Sequence, residues 1–241
     1  MRIDVFEYTG RGGREYNEDS VGSHHDEYGG IFVVADGLGG HLRGDEASAA
    51  AVETIVSGWD TTRLDIAGQL SEKITEANRS ILMMQQQERC VMKTTVAALS
   101  FCGTNAVWAN SGDSRVYYIH RNQLCGCTND HSVAYKKYKS GEITRDQIGT
   151  DEDQSCLLRT LGNEERFEPE IYSGAAPLEP GDAFFLCSDG AWEYLKDAEI
   201  LIDYLKAENA ERWAELLMLR IMERVDGKND NLSLLTVMLL D

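Results

Sequence analysis

Apolar and polar positions fall into two periods along this chain. Residues 2 to 9 alternate loosely and predict a first strand; Ser20 to His24 predict a second. Ile31 to Ala35 is an unbroken run of apolar and small residues that leads straight into Asp36, which reads as a buried strand ending in an acid. From Lys93 the strand period returns in TTVAALSFCG, NAVWANSGDS and RVYYIHRNQLCGCT, with turn signals at Gly103-Thr104, Gly112-Asp113 and Arg121-Asn122. Those three segments predict an antiparallel meander. Ala183 to Cys187 and Leu232 to Leu240 complete the strands. Helical spacing governs the rest. The Ala-rich stretch EASAAAVETIVSGW predicts a helix ending near Gly58. In the next, Ile66, Leu70, Ile74, Ala77, Ile81 and Met84 form one stripe, with the Met83-Met84 pair read as core filler. AWEYLKDAEILIDYLKA and NAERWAELLMLRIMERV predict two more helices, the second turning Trp213, Leu216, Leu217, Leu219 and Ile221 inward.

Between the meander and Leu157, the segment from about Val133 to Ser155 is polar; Ser140-Gly141 stops one short helix and Thr144 can cap another, so it reads as a surface insertion. With three prolines and no Ser/Gly tract, the 241 residues predict one domain, 1–241. An apolar fraction of 42% suffices for layered sheets with helices outside.

Charge narrows the partners. A formal net charge of −18 repels nucleic acid and anionic membrane at long range. The N-terminus lacks a signal-like apolar run, and no window reaches the roughly 18 apolar residues of a membrane span. The expectation is a soluble, cytoplasmic monomer. Six scattered cysteines predict reduced core thiols, Cys125-Gly126-Cys127 being the one pair spaced for redox or soft-metal chemistry.

Four acids abut core segments: Asp36, Asp113, Asp189 and Asp230. Turn punctuation explains each singly. Together they point to one rim of the sheets, where clustered carboxylates repel one another and take up protons unless cations sit among them. Oxygen ligands select hard ions, Mg²⁺ or Mn²⁺. Two such ions can activate a water toward phosphorus while an arginine neutralises phosphate oxygens. Arg11 and Arg14, in a Gly-rich loop ahead of Glu18 and Asp19, can bind an anion.

Seven motifs then occur in order: R-x-x-N-E-D from Arg14 to Asp19, V-A-D-G-x-G-G-H from Val34 to His41, N-x-G-D-S-R from Asn110 to Arg115, D-H-S from Asp130, L-R-T-L-G from Leu158, C-S-D-G from Cys187 and N-D-N from Asn229. Together they resemble the metal-dependent serine/threonine protein phosphatases of the 2C type, in their stand-alone bacterial branch. The resemblance implies an α+β fold, a four-layer α-β-β-α sandwich with two central antiparallel sheets flanked by helix pairs. It implies a phosphoprotein phosphatase in which a metal-activated water attacks phosphoserine or phosphothreonine at a dinuclear Mn²⁺/Mg²⁺ centre, opposing a serine/threonine kinase. By the same resemblance, Asp36 bridges the two ions with the Gly37 carbonyl on one of them, Asp189 and Asp230 complete the other, and Asp113 joins Asp189 around a weaker third ion. Glu18 holds coordinated waters with Asp19 beside it, Arg14 receives the phosphate, and the 133–155 insertion is the flap that shapes substrate access. His41 is the candidate general acid, since Leu38 stands where D-G-H members carry their histidine; a metal-bound water is the alternative. His131 of D-H-S reads as structural. Two other functions stay open on the residues: a silent phosphoprotein-binding module, and a phosphatase for small phosphoesters.

Overall fold

The computed structural model describes residues 1–38, 43–163, 167, 169–174 and 176–241. One sheet runs β1-β11-β10-β7-β8, from Arg2–Gly10 (β1), Leu232–Leu240 (β11), Ala183–Cys187 (β10), Arg115–His120 (β7) and Gln123–Cys127 (β8). The second runs β2-β3-β5-β6-β9, from Asp19–His25 (β2), Gly29–Leu38 (β3), Val96–Cys102 (β5), Asn105–Ser111 (β6) and Glu170–Ser173 (β9), with the short β4 (Lys93–Thr94) also paired to β3. All the pairings are antiparallel. Helices α1 (Gly44–Val56) and α2 (Ile66–Glu88) cover the second sheet, and α5 (Asp197–Lys206) and α6 (Ala210–Arg224) cover the first. The four-layer α-β-β-α arrangement expected from the sequence is therefore present.

Strand alternation builds it. Successive side chains of β3 point to opposite faces: Ile31, Val33 and Ala35 pack under α1 and α2, while Phe32 and Val34 enter the layer between the sheets. In β10, Phe185 and Cys187 face α5 and α6, while Phe184 and Leu186 meet Leu235, Val237 and Leu239 of β11 between the sheets. Both faces of each central strand are dry, which is why these segments read as continuous apolar runs. By the same parity Asp36 follows Phe32 and Val34 onto the inter-sheet face.

Several local expectations need correction. The meander is not one sheet: β5 and β6 pair, but the chain then crosses at Gly112 (φ +101) and β7 joins β10 in the other sheet. Since β6 and β7 are each buried on both faces, local alternation cannot reveal which sheet holds them. The segment expected as one helix from Ala191 breaks into α4 (Asp189–Trp192) and α5, because the stretch around Leu195 turns inward between them. On α6 the inward face is Ala210, Trp213, Ala214, Leu217 and Ile221; Leu219 projects to solvent at 57% exposure, off that stripe, and Leu216 is half-buried. Met83 is likewise exposed, whereas Met84 packs against the core. The cysteines are all free, with Cys187 buried but Cys125 and Cys156 exposed. The insertion holds α3 (Val133–Ser140), capped by Ser132 and ended at Gly141 (φ +83), and a 3-10 turn at Arg145–Thr150 whose entry is closed by Thr144 and Gln147.

Phe184, buried between the sheets, and Leu219, on the outer helix face, give opposite expectations. Phe184→Ala should lower the unfolding free energy by about 3–5 kcal/mol and Leu219→Ala by no more than about 0.5 kcal/mol, both read from urea midpoints at constant slope.

Candidate metal centre

At one end of the sandwich the apolar layer gives way to a cavity of about 550 Å³. Its lining includes Arg14, Glu18, Asp36, Gly37, Asp113, Asp189 and Asp230, so residues from five separate parts of the chain are brought together. Each arrives by a separate device. Asp36 is fixed through its own backbone: its N–H donates to Thr95 Oγ1 at 2.9 Å, and its carbonyl accepts from Thr94 Oγ1 at 2.8 Å. Gly37 must be glycine, since a Cβ there would lie 2.2 Å from the Gly44 carbonyl oxygen and 2.5 Å from that of Glu18. Asp113 occupies the crossover between sheets, its carbonyl receiving the Trp192 indole N–H at 2.9 Å. Asp189 opens α4, and Asp230 precedes β11.

The carboxylates share the cavity without converging on a single point. Among the described residues, no group of three His, Cys, Asp or Glu side chains stands ready-made to hold a metal. Asp230 is instead turned onto Arg14, the one cation of the lining among the described residues, whose Nη2 donates to it at 2.7 Å. Gln154, from the insertion, donates to Asp189 Oδ2 at 3.3 Å. Asp189 Oδ1 is buried with no hydrogen-bond partner among the described residues. Glu18 is drawn to the start of α1, its Oε1 accepting from Gly44 N–H at 3.0 Å, where the helix dipole favours an anion. Asp19 does not line the cavity. It is buried beneath Asp36, its partner in the β2–β3 register, and accepts from Ser188 Oγ at 2.8 Å, a bond that ties one sheet to the other. His41 lies outside the described residues.

Crowded carboxylates in a site poor in water hold protons more tightly. Enclosure, then the neighbouring Asp19 and Asp189, pushes Asp36 well above its ordinary value. Enclosure, then Asp189 and Arg115 acting oppositely among others, leaves Asp113 well above it too. Burial outweighs the serine hydrogen bonds and carries Asp19 to about 7, and burial plus the nearby Asp230 carries Asp189 to about 6. An all-oxygen donor set under this repulsion fits hard divalent cations, which would relieve the charge that protons otherwise must.

Residues 11–223 match the family model described as protein phosphatase 2C. The chain belongs to that family. It is similar to the serine/threonine phosphatase stp of Listeria welshimeri, 34% identical over 205 residues covering 82% of this chain and 80% of that one. Among solved structures it is similar to a bacterial serine phosphatase at 25% identity and a TM-score of 0.88, covering 100% of this chain and 99% of the other. It is also similar to the Mycobacterium tuberculosis serine/threonine phosphatase PstP/Ppp at 26% identity and a TM-score of 0.85, covering 99% of both chains. The molecule is thus a metal-dependent serine/threonine protein phosphatase, a hydrolase of phosphoric monoesters that acts on phosphoproteins.

Reading the residues singly left several parts of this phosphatase's site unassigned. Asn231 straps the Arg14 loop to β11: its Oδ1 accepts from Glu18 N–H at 2.8 Å, and its Nδ2 donates to the Arg11 and Tyr16 carbonyls at 3.0 and 2.8 Å. The N-D-N motif carried that signal without its meaning. Gln154 and Glu193 had no signal at all. Glu193, half-buried behind Asp189, is pushed up to about 8 by burial and by Asp189. His131 fits its structural reading, Nδ1 accepting from Gly112 N–H at 3.2 Å and Nε2 lying 3.0 Å from Glu170.

Acids whose native pKa stands above the unfolded value bind more protons folded than unfolded between the two. Their contribution to stability is present below about pH 4 and lost as pH rises through the native values, about 6 for Asp189 and 7 for Asp19. In chelator, the thermal midpoint should therefore fall between pH 5 and pH 7.5 more steeply in the native chain than in Asp189→Asn. Adding Mn²⁺ at pH 7.5 should restore the native midpoint but not that of the variant.

Proposed function

We propose that this cavity hydrolyses phosphoserine and phosphothreonine esters in proteins at a pair of divalent cations, Mn²⁺ or Mg²⁺. The observation that carries this reading is the lining itself: Asp36, Asp113, Asp189 and Asp230 around one cavity, with Arg14 as the cation beside them. Asp36, Asp189 and Asp230, with the Gly37 carbonyl, would hold the pair, and Asp113 with Asp189 a weaker third ion. When bound, the cations supply an acidified water as nucleophile and neutralise charge on the phosphoryl oxygens.

The chain supplies the rest. Arg14 is exposed on a strapped loop, so its guanidinium can exchange the Asp230 carboxylate for the oxygens of an arriving phosphate, with the planar two-point geometry suited to both. Glu18, held at the start of α1, presents an acceptor to water at the cavity wall. Asp19, beneath Asp36, keeps the sheets in register at the site through Ser188. The insertion, ending at Gln154 and Ser155, forms a wall of the cavity and limits which phosphorylated segments reach it. Phosphoserine and phosphothreonine in proteins are the products of serine/threonine kinases, so the enzyme would oppose one.

Phosphate release from a phosphothreonine peptide should require Mn²⁺ or Mg²⁺ and stop in chelator. Asp189→Asn should lower kcat by more than about a hundredfold, as expected for losing a metal's several kcal/mol of transition-state stabilisation. Arg14→Ala should act chiefly through KM. Undiminished hydrolysis in chelator would remove the metal reading.

A further inference from the structure

A second cleft, of about 360 Å³, shares α4 with the first: Asp189 lines one and Trp192 the other. In a chain of net charge −18, its walls carry Arg115, Arg145, Lys196 and Arg224. Three of the four are held in place. Arg115 is buried, donating to both oxygens of Asp130 at 2.8 and 2.6 Å, with its guanidinium carbon 3.5 Å from the Trp192 ring centre. Arg145, from the insertion, is fixed by Asp197 at 2.9 Å. Arg224 donates to Glu199 and to the Tyr194 carbonyl. Lys196 is different: it is exposed, its backbone N–H caps α5 through Glu199, and its ammonium makes no ion pair among the described residues. The remaining acids of the lining are Asp146 and Glu193, Asp197 being engaged by Arg145.

We propose that this cleft receives an anionic side chain of the substrate protein, a carboxylate or a second phosphoryl group, within a few residues of the phosphorylated residue being hydrolysed. The proposal rests on the phosphatase reading of the first cavity and adds a substrate preference to it. Size favours one side chain with its waters over a folded partner. Position favours the substrate, because the insertion walls both cavities, with Ser155 at the first and Arg145, Gly149 and Thr150 at the second. Asp189 and Trp192 are about 5 Å apart along the α4 axis, and two or three residues of extended peptide span about 7–10 Å. A phosphorylated segment lying under the insertion therefore reaches both. Since the whole molecule repels acidic partners at long range, the cleft acts only at contact, where ordered cations are little screened.

Three phosphothreonine peptides test this, flanked on both sides by alanine, by glutamate or by phosphoserine, with loss of the threonine phosphate followed by mass spectrometry in Mn²⁺. The native enzyme should favour the two acidic peptides by about fivefold in kcat/KM, the scale of an exposed charge pair, through KM and not kcat. Lys196→Glu should abolish the preference and Lys196→Arg should keep it, while para-nitrophenyl phosphate is hydrolysed alike by all three proteins. A preference for glutamate and phosphoserine alike supports a general anion cleft, and one for phosphoserine alone a phosphoryl site. Turnover without preference, or a preference that survives Lys196→Glu, overturns the proposal while leaving the phosphatase reading intact. A Lys196→Glu enzyme equally slow on the aryl phosphate overturns it too. No turnover of any peptide removes both readings.

Discussion

The structure is built around an expensive arrangement: carboxylates gathered where the dry layer between two sheets opens to solvent. Placing one acid at such a boundary costs free energy, and placing several multiplies it through mutual repulsion. Alternation along β3 leaves little freedom, because Phe32 and Val34 fill the inter-sheet layer and the next residue on that face is Asp36. Partial remedies surround the group: Arg14 on Asp230, Gln154 on Asp189, Ser188 on Asp19, a helix start for Glu18, and a raised affinity for protons at Asp36 and Asp113. None removes the repulsion, and that residue of unfavourable energy is what a divalent cation can relieve on binding. Affinity for metal and the cost of folding the site are thus two views of one quantity.

Holding such a group together needs stiff backbone, and the protein supplies it chiefly from the main chain. The Thr94-Thr95 pair grips Asp36 from both sides of its peptide, and Gly37 lets β3 touch the start of α1. Asn231 closes the Arg14 loop with three hydrogen bonds from a single side chain. The charged side chains are held more lightly, Arg14 meeting Asp230 and Gln154 meeting Asp189 through single hydrogen bonds. This division lets the acids and Arg14 change partners without disturbing the sheets.

What could be read from residues alone follows the same division. Strands buried on both faces announce themselves as apolar runs, so Ile31–Ala35 and Ala183–Cys187 were evident, as was each acid that follows. Assignment of β6 and β7 to different sheets was not, since a strand dry on both faces looks the same in either sheet. Leu219 and Met83 misled for the opposite reason: an apolar residue one position off a helical stripe carries no mark of being exposed. Asp19 was legible as an acid behind the metal ligands, next to Glu18, but its bond to Ser188, which spans 169 positions of sequence, is made only by the fold. Gln154 could not be found at all, because a glutamine in a polar insertion gains meaning only when the fold brings it to Asp189.

Trp192 shows how the two cavities are mechanically one. Its indole N–H holds the carbonyl of Asp113, and its ring supports Arg115, which in turn is locked to Asp130. The same short helix begins with Asp189, whose carboxylate meets the insertion through Gln154, while the middle of the insertion is pinned to α5 by Arg145 and Asp197. The insertion is thus joined to Asp189 by the Gln154 hydrogen bond, and Asp113 to the same helix by the Trp192 indole. Packed elements transmit shifts because their side chains interlock at near-crystal density. Any contact made with the insertion and any cation held among the carboxylates are for this reason expected to alter one another by the same free energy.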